Sequence, residues 1–220
     1  MPIRPGAERP LTGEPLQEPP FSASELLSRW PHHATFPDGE AVTFLRQSIM
    51  AYPGEVTLVA IGPLTNVGRL LREHLETAAH LKSLVLMGGR YFTPGDKPEW
   101  NIRNDPAAAA IAFTAPIPHV RAVGLDVTRS VFLTEQDFRA RFDGLLASFA
   151  GPWLARRDRV TFHDPLAAAT IFHPLCGYQK GTVTIAQDGA TTFTPDPAGP
   201  HEVAESVDAQ AFFNHYFATV

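Results

Sequence analysis

The sequence has few or none of the features that mark disulfide-bonded, membrane-spanning, secreted or nucleic-acid-binding proteins. Its single cysteine, Cys176, cannot form an internal disulfide bond, which favours the reducing cytoplasm. No apolar run is long enough to span a bilayer, and the first residues lack the apolar core of a signal peptide. Lys and Arg number 18 against 23 Asp and Glu, and the net charge of -5 argues against nucleic acid as a partner. No Gly-x-Gly-x-x-Gly follows a predicted strand, which disfavours a generic nucleotide-binding protein.

The chain has 220 residues, of which 44% are apolar, enough for the core of one α/β domain. Prolines interrupt residues 1–38, so this segment is predicted to be irregular, with room for one helical turn over 24–30. His32 and His33 are adjacent there. Adjacent side chains point apart, so a loop pair is favoured over a metal-binding pair.

Strands and helices are predicted to alternate from residue 41 onward. The predicted strands are Val56–Ile61, Leu84–Met87 and Ile117–Leu125. The first of them is apolar at nearly every position, as in a strand buried on both faces. Apolar spacing predicts helices over 41–52, 64–75 and 106–113, the second with a stripe of Leu64, Val67, Leu71 and Leu75. This alternation predicts an α/β fold with a mostly parallel, Rossmann-like open sheet and helices on both faces.

The C-terminal part has a different pattern. Residues 182–186 and 190–194 alternate around Asp188-Gly189, which predicts a small C-terminal β-hairpin. Thr134 and Asp137 resemble a capping box at a helix start, and Asp208 is predicted to cap a final helix. Four aromatic residues of that helix are interpreted as core or interface packing rather than as a cofactor box: Phe212, Phe213, Tyr216 and Phe217.

A polar loop follows the strand Leu84–Met87, at the end of a strand where open α/β sheets bind ligands. Asp96, Glu99 and Asn101 offer carboxylate and amide groups there, with Trp100 between them. That set suits a sugar, whose hydroxyl groups both donate and accept hydrogen bonds. From spacing alone, a solvated surface loop is the simpler interpretation.

A second polar cluster is His163-Asp164-Pro165, before a short predicted helix over 166–172. Asp164 is predicted to be the N-cap of this helix and Pro165 its first residue. Asp105-Pro106 has the same signature, so capping alone accounts for both aspartates. His163 differs because its imidazole exchanges protons near neutral pH.

Several motifs in one order resemble a known family. They are Gly62-Pro63-Leu64-Thr65-Asn66, Met87-Gly88-Gly89, Glu99-Trp100-Asn101, Asp105-Pro106, Gly124-Leu125-Asp126-Val127-Thr128 and His163-Asp164-Pro165. Together they resemble the inosine-uridine preferring nucleoside hydrolases, and the match runs from about Gly6 to the C-terminus.

The resemblance implies an enzyme that hydrolyses the N-glycosidic bond of purine and pyrimidine ribonucleosides to ribose and a free base. It implies that His163 is the catalytic residue that protonates the leaving base, and that nucleoside or ribose is the partner. Asp164 and the backbone carbonyl of Ile61 match the ligands of a calcium ion. Such a reaction passes through an oxocarbenium-like sugar that nearby carboxylates stabilise.

The same resemblance assigns the ribose site to the loop after the second predicted strand. Glu99 and Asn101 match residues that hold the ribose hydroxyl groups. Asp96 stands where the family usually has asparagine, and Trp100 where it has phenylalanine beside the sugar. We also expect a single domain over residues 1–220, a lid-like role for 1–38, and a homo-oligomer.

The chain departs from the family pattern in one respect. No Asp-x-Asp-x-x-x-Asp-Asp cluster occurs among its residues, although that cluster supplies most calcium ligands and the base that activates water in the family. The chain is therefore expected to match the family fold without its first strand-helix portion, with weak or absent calcium binding. The alternative is a non-catalytic remnant or assembly partner.

Overall fold

The computed structural model describes residues 2–16, 28, 30, 31, 35, 41–93 and 95–219. Half of the predicted lid-like segment lies outside these ranges, including His32, His33 and most of the turn predicted over 24–30. Among the residues described, no helix combines the length and the apolar character needed to cross a membrane.

Two sheets form within the described ranges. Their strands are β1 (Thr57–Ala60), β2 (Ser83–Met87), β3 (Val120–Val123), β4 (Phe132–Thr134), β5 (Arg159–Thr161), β6 (Cys176–Ile185), β7 (Thr191–Pro195) and β8 (His201–Val207). The main sheet has the spatial order β1-β2-β3-β8-β6-β7, and β4 pairs with β5 separately. Strands β1, β2, β3 and β8 run parallel to one another, while β6 runs antiparallel to both β7 and β8. The mostly parallel sheet and the hairpin are confirmed, and β8, which was not predicted, joins the hairpin to the parallel strands.

Helices cover both faces of the main sheet. They are α1 (Ala41–Ala51), α2 (Thr65–Glu73), α3 (Trp100–Asn104), α4 (Pro106–Thr114), α5 (Leu125–Thr128), α6 (Glu135–Arg141), α7 (Gly144–Leu154), α8 (His163–Ala169) and α9 (Ala209–Thr219), with a 3₁₀ helix at Leu75–His80. Residues of α1, α2 and α4 pack in one apolar core, and residues of α5, α8 and α9 pack in another. Consecutive residues of a strand face opposite sides of the sheet, so Ala122 of β3 packs in the first core and Val123 in the second. The α/β fold with helices on both faces is therefore confirmed.

The prediction that the strand at Val56–Ile61 is buried on both faces is wrong. Among the described strands β1 lies at an edge, and Thr57, Leu58 and Val59 are only half-buried. An edge strand has one strand neighbour and so reaches this intermediate burial even with an apolar sequence.

Apolar spacing also overestimated the length of two elements. Leu75 is 55% exposed because α2 ends at Glu73, and the chain then enters the 3₁₀ helix with a different periodicity. The third strand is shorter than Ile117–Leu125, since Ile117 is buried in a loop before β3 and Leu125 begins α5. An apolar residue indicates a buried position, but buried positions also occur in loops.

The helix caps were predicted more accurately. Thr134 Oγ1 accepts a hydrogen bond from the Asp137 backbone N–H at 3.1 Å, and Asp208 Oδ1 accepts from Ala211 N–H at 2.9 Å. Asp105 caps α4 by accepting from Ala108 N–H at 3.0 Å. The four aromatic residues of α9 pack on Phe162, Phe142 and one another, as predicted.

His201, at the start of β8, is buried, with 3% of its surface exposed. Its Nδ1 accepts a hydrogen bond from Val183 N–H of β6, and its Nε2 donates to the carbonyl of Phe113 in α4, both at 2.9 Å. This arrangement requires the neutral ring, because protonated Nδ1 would face another donor. Burial lowers the pKa of His201, against a smaller upward effect of the bond to Phe113.

We therefore expect acid to destabilise the fold through His201. Below pH about 6.5 the unfolded chain protonates this ring more readily than the folded protein does, so the free energy of unfolding falls as the pH falls. Urea unfolding of wild type and His201→Gln between pH 8 and pH 5 measures the effect. The variant should show the shallower pH dependence.

His119→Gln is the matched control, since His119 is an exposed histidine beside β3. It should retain the wild-type slope. Equal slopes for wild type and His201→Gln would contradict the assignment.

Candidate functional site

The carboxyl ends of β2 and β3 bring together three segments that the sequence singled out. Gly89 O, after β2, accepts a hydrogen bond from Leu125 N–H, after β3, at 2.9 Å. Helix α8 packs against β2, β3 and α5 at the same place. The loop with Glu99, the turn into α5 and the start of α8 therefore surround one region, as expected for parallel strands.

Glu99 is buried and serves as the N-cap of α3. Its Oε1 accepts from Asn101 N–H at 2.9 Å, and its Oε2 accepts from Gly89 N–H at 3.0 Å and from Ile102 N–H at 3.1 Å. Burial raises the pKa of Glu99, while these backbone hydrogen bonds oppose the rise. Oε1 accepts fewer of these bonds than Oε2, so it is the oxygen with more capacity for a ligand hydroxyl group.

The other residues assigned to the ribose site separate into a buried and an exposed group. Asn101 is buried, and its Nδ2 donates to the carbonyl of Met87 at the end of β2, at 3.0 Å. Trp100 is 42% exposed, with the Arg103 guanidinium 5.1 Å from the centre of its ring. Asp96 is exposed as well. The structure thus brings Glu99 and Asn101 together and leaves Asp96 and Trp100 at the surface.

Asp164 is not the N-cap of α8, as the sequence had predicted. The helix begins one residue earlier, at His163, and Phe162 is its N-cap without a side-chain hydrogen bond. The Asp164 carboxylate accepts no hydrogen bond from the described residues and is half-buried. Burial raises the pKa of Asp164, and the negative charge of Glu99 raises it further. The two carboxylates therefore lie near each other, and Asp164 is the one whose oxygens are not committed to the backbone.

His163 is half-buried between α5 and a large cavity. Its Nδ1 lies 2.7 Å from Oγ1 of Thr128, the last residue of α5. Burial lowers the pKa of His163, and the positive charge of Arg129 lowers it further. The cavity has a volume of about 690 Å³, and its lining combines aromatic residues, among them Phe142, Phe149, Trp153, Phe162 and Tyr216, with the charged residues Arg157, Asp158 and Arg159. His163 thus borders a space large enough for a flat aromatic ligand.

Ile61 occupies a different place. It follows β1, is 47% exposed, and lines a second cavity of about 490 Å³ with Asn66 and Asn104. Asn66 holds the N-terminal segment there, since its Oδ1 accepts from Ala7 N–H at 2.9 Å. The residues that line this cavity do not include Asp164.

The described residues do not by themselves fit a calcium site. Among them, no group of three or more His, Cys, Asp or Glu side chains is placed to hold a metal ion. Calcium takes about six to eight oxygen ligands, and Asp164 offers at most two. A cation near Asp164 would relieve its repulsion with Glu99, but the remaining ligands would have to come from elsewhere.

Sequence reasoning missed the role of Asp126, which shapes the loop after β2. Its Oδ2 accepts from Tyr91 N–H at 2.7 Å, and its Oδ1 accepts from Phe92 N–H at 3.1 Å and Thr93 N–H at 2.9 Å. The Thr93 hydroxyl group also donates to Oδ1, at 2.8 Å. The position of Asp126 directly after a strand was a usable signal, because such an aspartate faces the neighbouring strand's loop.

Thr128 and the aromatic lining of the cavity were missed too. Thr128 belongs to the motif Gly124-Leu125-Asp126-Val127-Thr128, but its contact with His163 joins residues 35 apart in the sequence. The lining residues lie in or directly beside α6, α7, β5, α8 and α9. The apolar residues of α7 were a visible signal, but nothing in their spacing indicated a cavity.

Comparisons with known proteins found similar sequences and structures. A model of the family described as inosine-uridine preferring nucleoside hydrolase matches residues 1–214. A probable uridine nucleosidase 1 of Oryza sativa subsp. japonica is 32% identical over 171 residues, covering 70% of this chain and 52% of the relative. A non-specific ribonucleoside hydrolase RihC of Salmonella newport is 37% identical over 209 residues, covering 87% of this chain and 67% of the relative.

The fold is also similar to a solved structure, that of a plant nucleoside hydrolase, the PpNRh1 enzyme. The TM-score is 0.79 at 25% identity, over 97% of this chain and 78% of that one. The chain spans only about half the length of several curated relatives that it matches, including 49% of uridine nucleosidase 1 of Arabidopsis thaliana.

We predict that Asp126→Asn loosens the loop after β2 without unfolding the protein. An amide group in place of the carboxylate removes one acceptor and the charge, and hydrogen bonds to charged groups are worth about 1.5–3 kcal/mol each. Hydrogen exchange at the amides of Tyr91, Phe92 and Thr93 should rise by about tenfold or more. Asp137→Asn, at the start of α6, is the control and should leave these amides unchanged. Unchanged exchange in Asp126→Asn would contradict the role given to the carboxylate.

Proposed function

The chain belongs to the inosine-uridine preferring nucleoside hydrolase family, and from that premise we propose that it hydrolyses the N-glycosidic bond of ribonucleosides to ribose and a free base. One observation carries the proposal beyond family membership. Glu99 and Asp164 are near enough to interact electrostatically at the carboxyl ends of the strands, and His163, next to Asp164, borders an aromatic cavity. This is the combination that a sugar joined to an aromatic base requires.

The ribose is proposed to bind beside Glu99 and Asn101. Glu99 Oε1 takes one ribose hydroxyl group, and the amide oxygen of Asn101 takes another. The backbone hydrogen bonds to Glu99 keep its carboxylate in a fixed position, so the negative charge stays close to the sugar as positive charge develops on it. Trp100 and Asp96, at the surface, are proposed to contact the sugar only if the loop closes over it.

The base is proposed to occupy the aromatic cavity. Stacking against Phe142, Phe149 or Trp153 would hold a planar base without demanding one pattern of hydrogen-bonding groups. His163 borders this cavity and is proposed to contact the base at the atom that becomes negative when the glycosidic bond breaks.

The family resemblance implies calcium, which would bind the sugar hydroxyl groups and the attacking water. Of the described residues, Asp164 is the one proposed to bind it, with the Ile61 carbonyl as a second ligand. Since the described residues do not complete such a site, we propose that this chain binds calcium weakly.

The incomplete calcium site favours a second candidate function, a non-catalytic member of the family that binds nucleoside or ribose. The homo-oligomer expected from the sequence also stays a prediction.

Calcium titration of the purified 220-residue chain tests this proposal. We expect a dissociation constant of about 1 mM or weaker, since one carboxylate replaces the several that strong sites provide. Asp164→Asn should abolish the remaining binding. A dissociation constant of about 10 μM or tighter would show a ligand set that this proposal lacks.

Cleavage of inosine and uridine by the same preparation separates the two candidate functions. An enzyme that lacks the general base for the attacking water should be slower than one that has it by about a hundredfold or more. It should still be faster than the uncatalysed reaction. Release of free base above the uncatalysed rate supports the hydrolase. No release, together with saturable nucleoside binding, supports the non-catalytic member.

His163→Ala tests the contact with the base in any form of the protein that cleaves nucleosides. Loss of a general acid should lower the turnover of inosine by about a hundredfold or more. An activated aryl riboside, whose leaving group departs without a proton, should lose much less. His173→Ala, an exposed histidine beyond the other end of α8, is the matched control and should change neither rate. Equal losses on both substrates would argue against an acid role for His163.

A further inference from the structure

The contact between Thr128 and His163 bears on which ring nitrogen of His163 carries a proton. Thr128 is completely buried at the end of α5, and its Oγ1 lies 2.7 Å from Nδ1 of His163 at the start of α8. A distance of this kind requires one hydrogen atom between the two groups, on either the oxygen or the nitrogen.

The surroundings of the Thr128 hydroxyl group indicate which group carries that hydrogen. Thr77 Oγ1 donates to the carbonyl of His74, and Thr170 Oγ1 donates to the carbonyl of Ala167, each at 2.7 Å. Thr128 has no such carbonyl partner among the described residues, and His163 Nδ1 is the one group that its hydroxyl group meets. If Nδ1 carried the hydrogen, the Thr128 hydroxyl proton would be buried without an acceptor, at a cost of about 1–3 kcal/mol. This cost favours the hydroxyl group as the donor and Nδ1 as the acceptor.

We propose that Thr128 is a positioning residue that holds His163 in the neutral tautomer with its proton on Nε2. No described residue accepts a hydrogen bond from that Nε2–H group. On the proposed function, His163 thus meets an incoming nucleoside as a hydrogen-bond donor, and it recognises an acceptor nitrogen or oxygen on the base. The opposite tautomer would present a lone pair there and would repel the same atoms.

Nitrogen-15 NMR of the imidazole side chains reads the tautomer directly, without substrate. All spectra are taken at pH 8, and His163→Gln identifies the signals of His163 among the nine histidines. Wild type should show one tautomer of His163, with Nε2 protonated and Nδ1 bare. Thr128→Val, which keeps the shape of the side chain without its hydroxyl group, should lose this pattern and show a mixture of tautomers. Thr128→Ser should restore it.

Thr77→Val is the matched control, because it removes another fully buried threonine hydroxyl group far from His163. It should keep the wild-type pattern of His163 even if it lowers stability. A wild-type spectrum with Nδ1 protonated would overturn the proposal, and so would a Thr128→Val spectrum that equals wild type. The wild-type result stands even if Thr128→Val fails to fold. Because no turnover is measured, a protein that cleaves no nucleoside would still confirm or refute the role of Thr128.

Discussion

The buried carboxylate of Asp105 joins three parts of the chain that are far apart in sequence. Its Oδ2 accepts from Leu11 N–H at 2.8 Å and from the Thr65 hydroxyl group at 2.7 Å, and its Oδ1 accepts from Ala108 N–H at 3.0 Å. The N-terminal segment, α2 and α4 therefore depend on one side chain that is completely buried. A buried carboxylate is tolerated only when its oxygens have such donors. These bonds hold the start of α4 beside the start of α2 and the N-terminal segment.

The same principle extends along the carboxyl ends of the strands. Glu99 accepts from three backbone N–H groups and Asp126 from three more, so these acidic residues act as fixed acceptors that shape the loops. Asp164 differs, since its carboxylate accepts no hydrogen bond from the described residues. The acidic residues of this region thus divide into two that shape the loops and one, Asp164, whose oxygens are not committed to the backbone. Counting acidic residues in the sequence would not have revealed this division.

His163 connects the acidic loops to the aromatic cavity. Its ring is anchored through Nδ1 to a buried threonine, while Arg129 and burial both disfavour its charged form. A neutral, oriented imidazole at the boundary between a carboxylate region and an apolar cavity suits a ligand that is polar at one end and aromatic at the other. A nucleoside has this character, which supports the ligand class that we propose.

The sequence by itself determined the elements that depend on local interactions. The alternation of strands and helices, the caps at Asp105, Thr134 and Asp208, and the hairpin around Asp188-Gly189 follow from neighbouring residues, and the linked motifs identified the family. Tertiary structure alone decided the rest. It made β1 an edge strand among the described strands and inserted β8 between β3 and β6. It also left Asp164 without a capping role and paired Thr128 with His163. Each of these depends on contacts between residues distant in the chain, and the periodicity of a single segment carries no information about which distant segment it meets.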